Sequence, residues 1–203
     1  ALSGRGFKSK LQPYVKDSLI FNYLPNWADD LDMSIEPAKL SNNVKVHFTF
    51  AGNIGKVQNL ENIIKAFNGL NEEYLERAQL NIIGDGSALE KLKILNIKNN
   101  VIFYGKKPRN EMAKYYKASD FLIVSLIDEP IFSVTVPAKT QTYIAAKKPI
   151  LAIIRGDTAS IVKDNNLGFT ADPNNIDNIK SVFVQAINRD KRTLKQFTKN
   201  CDK

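Results

Sequence analysis

The chain has 203 residues, a formal net charge of +8 and an apolar fraction of 43%. This globular composition excludes wholesale disorder, and the longest apolar stretches are far shorter than the roughly 20 residues of a membrane-spanning helix. A single cysteine and a single histidine exclude an internal disulfide and a His/Cys metal cluster. The basic charge fits an anionic partner such as nucleic acid, a membrane surface or a phosphorylated small molecule.

The first 43 residues show little regular periodicity. Residues 7–15 predict a short helix and residues 19–24 a strand, which runs into Pro25-Asn26-Trp27. We interpret Trp27 as a packing anchor. Residues 31–43 hold loop-forming residues and few periodic apolar positions, so they are predicted to be a linker.

From residue 44 onward, short apolar segments alternate with helical periodicity. Strands are predicted at residues 44–50, 80–83, 101–104, 121–126, 149–154 and 169–171. Helices are predicted at residues 60–70, 89–95, 112–116, 138–146, 158–163, 176–187 and 191–198. This alternation indicates an α/β fold, a doubly wound, Rossmann-like parallel sheet. Such sheets bind ligands beyond the carboxyl ends of their strands, where the strand order reverses.

Glycine-containing loops follow three of the predicted strands. They are Gly52-Asn53-Ile54-Gly55-Lys56, Gly84-Asp85-Gly86 and Gly105-Lys106-Lys107-Pro108. Glycines let backbone amides approach a phosphate, although each loop alone also fits a tight turn. None of the loops matches the dinucleotide fingerprint or the P-loop. Three such loops on one sheet edge favour a ligand cleft.

The most unusual segment lies between the predicted strand 121–126 and the helix after it. It is a loop of about ten residues that contains two prolines, two acidic residues and two hydroxyls. Pro137 suits the start of the following helix, which places Lys139 in its first turn. A lysine there opposes the helix dipole unless an anion shares the site; the alternative is a solvent-facing lysine. Asp157 is predicted to cap the helix at 158–163.

Several of these segments together resemble the C-terminal half of retaining GT-B glycosyltransferases of family 4. The resemblance is strongest to the bacterial branch that builds colanic acid, O-antigen and capsular polysaccharide, including N-acetyl-L-fucosamine transferases. The segments that carry it are Phe50-Ala51-Gly52-Asn53-Ile54-Gly55, Ile82-Ile83-Gly84-Asp85-Gly86, Val101-Ile102-Phe103-Tyr104-Gly105, Pro137-Ala138-Lys139 and Tyr143-Ile144-Ala145-Ala146-Lys147-Lys148-Pro149. Leu24-Pro25-Asn26-Trp27 resembles the hinge of that branch.

The resemblance implies two Rossmann-like domains that face a cleft. Residues 1–38 would be the tail of the preceding domain and a linker, and residues 39–203 the nucleotide-sugar-binding domain. The acceptor-binding domain would not be part of this chain, which would be inactive alone. The implied reaction is retaining transfer of a hexosyl or N-acetylhexosaminyl group from a nucleoside-diphosphate sugar, UDP-linked, to a polysaccharide or lipid-linked acceptor. The implied location is the cytoplasm, with peripheral contact at the inner face of the membrane.

The resemblance also implies roles for individual residues. Glu129 and Lys139 would be catalytic, with Glu129 and Ser133 facing the donor sugar. The remaining donor-binding residues would be Gly52, Asn53, Gly55 and Lys56 at the phosphates, Thr140 at the distal phosphate, and Gly84, Asp85, Gly105 and Lys106 at the base and ribose. No metal and no cofactor other than the donor substrate are implied.

Four positions depart from the family pattern, and one of them is Lys147, where the family usually has glycine. An arginine and a lysine that many members use to hold the pyrophosphate are replaced by Asn53 and Gln58. Of the family's paired glutamates, Glu129 matches the first, whereas the second falls near Thr142, which we include among the donor-binding residues. Two alternatives therefore stay open: a regulatory module that binds a nucleotide without chemistry, and a nucleic-acid binder argued from charge alone. We predict no nucleic-acid partner.

Overall fold

The computed structural model describes residues 2–28, 30–40, 44–96, 98 and 100–202. Within these ranges six strands form one parallel sheet: β1 (Val46–Ala51), β2 (Ala78–Ile83), β3 (Val101–Gly105), β4 (Phe121–Ser125), β5 (Ile150–Ile153) and β6 (Gly168–Ala171). Their spatial order is β3-β2-β1-β4-β5-β6. The predicted doubly wound Rossmann-like fold is therefore confirmed, and the strand order reverses between β1 and β4.

Helices connect the strands and cover both faces of the sheet. The α-helices are α1 (Phe7–Leu11), α2 (Leu60–Asn68), α3 (Glu72–Leu75), α4 (Leu89–Leu95), α5 (Met112–Ala118), α6 (Pro130–Ser133), α7 (Ala138–Ala145), α8 (Asp157–Asp164), α9 (Ile176–Asn188) and α10 (Lys191–Asn200). Short 3₁₀ helices lie at Gln12–Tyr14, Lys56–Gln58 and Arg109–Glu111.

Alternating side chains of the strands build a core on each face of the sheet. Phe48 of β1 lies on the face covered by α2 and α9, where its ring is 4.9 Å from that of Phe183 and 5.5 Å from that of Phe121. The opposite face packs Leu122 and Val124 of β4 against α5 and α7. Since burying each such side chain contributes about 1.5 to 3 kcal/mol, these two cores fix the strand ends that carry the glycine loops.

The N-terminal segment differs from the prediction in two ways. Residues 19–24 do not form a strand, because their only ladder contact is an isolated bridge between Leu2 and Tyr23. A strand needs a hydrogen-bonded neighbour along its length, and the described residues offer it almost none. Trp27 is 83% exposed, so its interpretation as a packing anchor is wrong.

Two predictions at the start of helices also change. The loop between β4 and α7 contains a single helical turn, α6, which begins at Pro130. Asp157 does not cap α8: the capping residue is Gly156, whose φ of 76° suits glycine, and Asp157 is the first helical residue. The Asp157 carboxylate instead accepts a hydrogen bond from the Gly6 amide at 2.8 Å.

Among the described residues, none of the helices combines the length and the apolar character that a bilayer-spanning segment requires.

Candidate functional site

The loops that follow β1 and β2 are in direct backbone contact. Ile54 donates its amide to the Asp85 carbonyl at 2.8 Å, and Ala88 donates to the Ile54 carbonyl at 2.9 Å. A Cβ atom added at Gly84 would lie 1.8 Å from the Gly52 carbonyl oxygen, and Gly84 has a φ of 145°. Both the close approach and the dihedral angle therefore require glycine at position 84.

A cavity of about 750 Å³ opens at the ends of β1, β2 and β3; we call it the strand-end cleft. It brings together five of the predicted donor-binding residues: Gly52, Asn53, Gly84, Asp85 and Lys106. The residues to which sequence reasoning gave no donor-binding role are Asp30, Leu31, Ala51, Ile83, Gly86, Lys107, Pro108, Arg109, Met112 and Tyr116. Three of these, Gly86, Lys107 and Pro108, nevertheless lie in the predicted glycine loops. The volume lies in the range of ligand pockets for drug-sized molecules.

The missed residues give the cleft its apolar side and part of its charged rim. Met112 and Tyr116 come from α5, and Leu31 comes from the segment predicted as a linker. Lys107 and Arg109 add to the cation Lys106 at the β3 end. The helical periodicity of α5 marked its buried face, but periodicity alone does not tell a core residue from one that lines a cleft.

Lys139 lies directly behind Gly52. Its Nζ donates to the Ala51 carbonyl at 3.0 Å and stands 4.1 Å from the centre of the Phe50 ring. The residue as a whole keeps partial exposure, yet burial of the ammonium lowers its pKa to about 8. Within the described part of the chain, no carboxylate forms an ion pair with it. A Cβ at Gly52 would lie 3.0 Å from Nζ, so glycine there leaves the space beside the ammonium open.

Lys139 also stands in the first turn of α7, as predicted. Pro137 precedes that helix with a φ of −60°. The Thr140 side chain is fully buried, and the buried Thr142 hydroxyl donates to the Ala138 carbonyl at 3.3 Å. The structure therefore brings Lys139 to the end of β1 but does not bring the Thr140 and Thr142 side chains to an exposed surface.

The predicted phosphate residues Gly55 and Lys56 lie at the 3₁₀ turn after β1. The Gly55 amide donates to Gln58 Oε1 at 3.0 Å and is therefore already engaged, and Lys56 is exposed. Ser125, at the end of β4, donates its hydroxyl to the Gln58 carbonyl at 2.8 Å. This bond ties the two strand ends on either side of the order reversal.

The β4–α7 loop, residues 126–137, carries Glu129 and Ser133. Glu129 is exposed and precedes α6, whereas the Ser133 hydroxyl donates to the Pro130 carbonyl at 2.8 Å. Neither residue lines the strand-end cleft. The same holds for Gly105, whose carbonyl accepts the Gly84 amide at 2.9 Å.

In the residues that the structure describes, no three His, Cys, Asp or Glu side chains are grouped so that they could hold a metal ion. The charged residues that line the cleft are the cations Lys106, Lys107 and Arg109 and the carboxylates Asp30 and Asp85.

A family model described as "Glycosyl transferases group 1" matches residues 33–203. The chain is 26% identical over 183 residues to the probable glycosyltransferase WbjE of Pseudomonas aeruginosa, which covers 84% of this chain and 45% of that protein. The chain spans less than half the length of the curated relatives it matches.

Two solved structures share its fold. Anabaena Alr3699/HepE, solved in complex with UDP and glucose, superposes with a TM-score of 0.72 at 14% identity over 98% of this chain and 56% of that one. The C-terminal domain of the group 1 glycosyl transferase LpcC from Francisella tularensis superposes with a TM-score of 0.62 at 19% identity, over 85% of this chain and 94% of that domain.

Proposed function

The chain belongs to the group 1 glycosyl transferases, and we propose that it binds the nucleoside diphosphate of a sugar donor, UDP-linked, in the strand-end cleft. The bound sugar is transferred with retention of configuration to a polysaccharide or lipid-linked acceptor. The observation that carries this proposal is Lys139, a buried ammonium that pairs with no carboxylate of the described residues, beside the gap that Gly52 leaves.

A bound diphosphate would provide the counter-ion that the buried Lys139 ammonium lacks among the described residues. Burying a cation without a counter-ion is costly, and an anion at Gly52 would offset that cost. The first turn of α7 adds a positive helix terminus at the same place. As the glycosyl bond breaks, negative charge develops on the leaving diphosphate, where a preorganised cation is most effective.

The remaining parts of the donor are assigned by position. We place the base and ribose in the strand-end cleft near Gly84, Asp85 and Lys106, with Met112 and Tyr116 as apolar contacts for the base. Asn53 and the exposed Lys56 join Gly52 at the phosphates. Glu129 and Ser133 face the donor sugar, and Gly105 borders the ribose. That HepE was solved with UDP and glucose supports UDP as the nucleotide.

We further propose that residues 1–38 belong with a preceding domain and that residues 39–203 form the donor-binding domain. Apolar side chains in the first part are exposed, including Tyr14, Ile20, Leu24 and Trp27. A preceding domain that packs against this segment would cover these side chains. The preceding domain would supply the acceptor site, and a lipid-linked acceptor would place the protein in the cytoplasm at the inner face of the membrane.

Calorimetric titration tests the proposed donor. We expect UDP to bind with a Kd between micromolar and millimolar, roughly −8 to −4 kcal/mol, because this chain supplies one wall of the two-domain cleft. Uridine should bind more weakly, since it lacks the groups that meet Lys139.

A panel of UDP-sugars in the same titrations separates a transferase from a regulatory module. Tighter binding of one UDP-sugar than of UDP supports the transferase, and equal binding of all favours the module without chemistry. Binding that ignores the nucleotide and weakens steeply with salt would instead indicate a nucleic-acid binder. If UDP, GDP and ADP all fail to bind, the proposed function is wrong.

A further inference from the structure

The carbonyl groups of the β4–α7 loop are contacted one after another from two different parts of the chain. The Thr135 carbonyl accepts the Thr158 hydroxyl at 3.2 Å, and the Val136 carbonyl accepts Asn26 Nδ2 at 3.4 Å. The first contact comes from α8, and the second comes from the N-terminal segment.

Two glycines approach the preceding carbonyls from the same two sides. A Cβ at Gly156 would lie 1.8 Å from the Ser133 carbonyl oxygen, and a Cβ at Gly4 would lie 2.3 Å from that of Val134. Gly6 also packs against the loop, because a Cβ added there would lie 2.6 Å from Val134 Cγ1. The loop therefore passes between α8 and residues 4–6 with no room for an added methyl group on either side.

One hydrogen bond joins the two sides. The Asp157 carboxylate, at the start of α8, accepts the Gly6 amide at 2.8 Å through Oδ2. A hydrogen bond to a charged acceptor is among the stronger ones in proteins. Asp157 is not among the described residues that line the strand-end cleft, so its influence on the cleft would run through the β4–α7 loop.

We infer that Asp157 is a positioning residue for donor binding: by fixing Gly6 against α8, it holds the β4–α7 loop and thereby sets the place of Lys139. Only Pro137 and Ala138 separate Val136, the last residue of the contacted run, from Lys139. The role in donor binding rests on the proposed function, whereas the contact itself does not.

If residues 1–38 move with a preceding domain, the contacts of Gly4, Gly6 and Asn26 transmit that movement to the loop. The position of the diphosphate group would then depend on a segment outside the donor-binding domain.

The test compares Asp157→Ala with Asp157→Asn by amide hydrogen exchange. The amides of Phe132, Ser133 and Thr135 are bonded within the loop and report on its order. In Asp157→Ala we expect these amides to exchange about tenfold faster, as for the loss of one charge-assisted hydrogen bond. Asp157→Asn keeps an acceptor for Gly6 and should stay near the wild-type rates.

Asp190→Ala is the matched control, since Asp190 is another acid at a helix start, which accepts the Thr193 amide at 2.7 Å. It should leave the exchange of the loop amides unchanged. Gly6→Ala, which pushes on Val134 without removing the carboxylate, should accelerate the same amides.

Ligand titration completes the experiment. Asp157→Ala should raise the Kd for UDP several-fold and leave that for uridine unchanged, with Asp157→Asn close to the wild type. Unchanged loop exchange in Asp157→Ala, an Asn variant that behaves like the Ala variant, or faster loop exchange with unaltered UDP binding would overturn the inference. A wild type that binds no UDP would refute the proposed function, while the exchange comparison would still decide whether Asp157 orders the loop.

Discussion

Replacing Lys139 with alanine is expected to weaken UDP binding by roughly 1.5 to 3 kcal/mol, the usual loss for a charge-assisted contact in a partly desolvated place. The Lys139 ammonium is already fixed between the Ala51 carbonyl and the Phe50 ring, so little ordering is required when the diphosphate binds. Calorimetric titration of UDP into both proteins at fixed salt measures the difference.

Lys56→Ala is the matched control, because Lys56 is a nearby lysine of the β1 loop that is exposed. Its loss should cost about 1 kcal/mol or less, as for a solvent-exposed pairing. Uridine binding should not change in either variant. Equal small losses at both positions, or a loss at Lys139 that persists with uridine, would show that the phosphates bind elsewhere.

The affinity for UDP should depend on pH differently in the wild type and in Lys139→Ala. Because burial lowers the pKa of Lys139 to about 8, the free protein loses this charge above that pH, whereas a bound diphosphate favours the protonated form. The wild-type affinity for UDP is therefore expected to fall by up to about tenfold between about pH 7 and pH 9. Lys139→Ala lacks this titration, and its affinity should change much less over the same interval.

Gly84→Ala is expected to lower the free energy of unfolding by about 3 kcal/mol, the sum of backbone strain and overpacking. The added Cβ would stand 1.8 Å from the Gly52 carbonyl, at a φ that side chains rarely adopt. Since both partners are backbone, the loop after β1 must move, so UDP binding should be lost as well. Thermal unfolding should show a midpoint lowered by about 6 to 12 °C for a protein of this size.

Gly105→Ala separates the two causes of the expected Gly84→Ala destabilisation, the steric clash of the added Cβ and the backbone strain. Gly105 has a φ of 68°, but a Cβ there would meet nothing within 4 Å. In this variant the free energy of unfolding should fall only by the strain of a left-handed alanine, about 1 to 2 kcal/mol. A Gly84→Ala protein no less stable than Gly105→Ala would contradict the close packing of the two loops.

The sequence predicted the sheet and the edge that carries the candidate site, for physical reasons that particular elements illustrate. The continuous apolar run of β4 fits a strand buried on both faces, and all five of its residues are buried. Parallel strands place their carboxyl ends on one edge, so Gly52 and Gly84 were expected together, and they are in contact.

Features that depend on contacts distant in sequence were not predictable. Asp157 has the residue type and spacing of a helix cap, yet its carboxylate binds Gly6, which lies 151 positions away. Residues 19–24 have the composition of a strand but lack the neighbour that would complete one. Leu31 likewise lines the cleft because of where the linker crosses the edge of the sheet. No local sequence pattern predicts the path of the linker.

A map of the backbone amides that respond to UDP and to uridine in the isotope-labelled chain tests the proposed donor site most directly. Both ligands are expected to shift the amides of Gly84, Asp85 and Lys106, whereas only UDP should shift those of Gly52, Asn53 and Lys139. Shifts from UDP that avoid Gly52 and Lys139, or a spectrum that UDP leaves unchanged at high concentration, would contradict the proposed site.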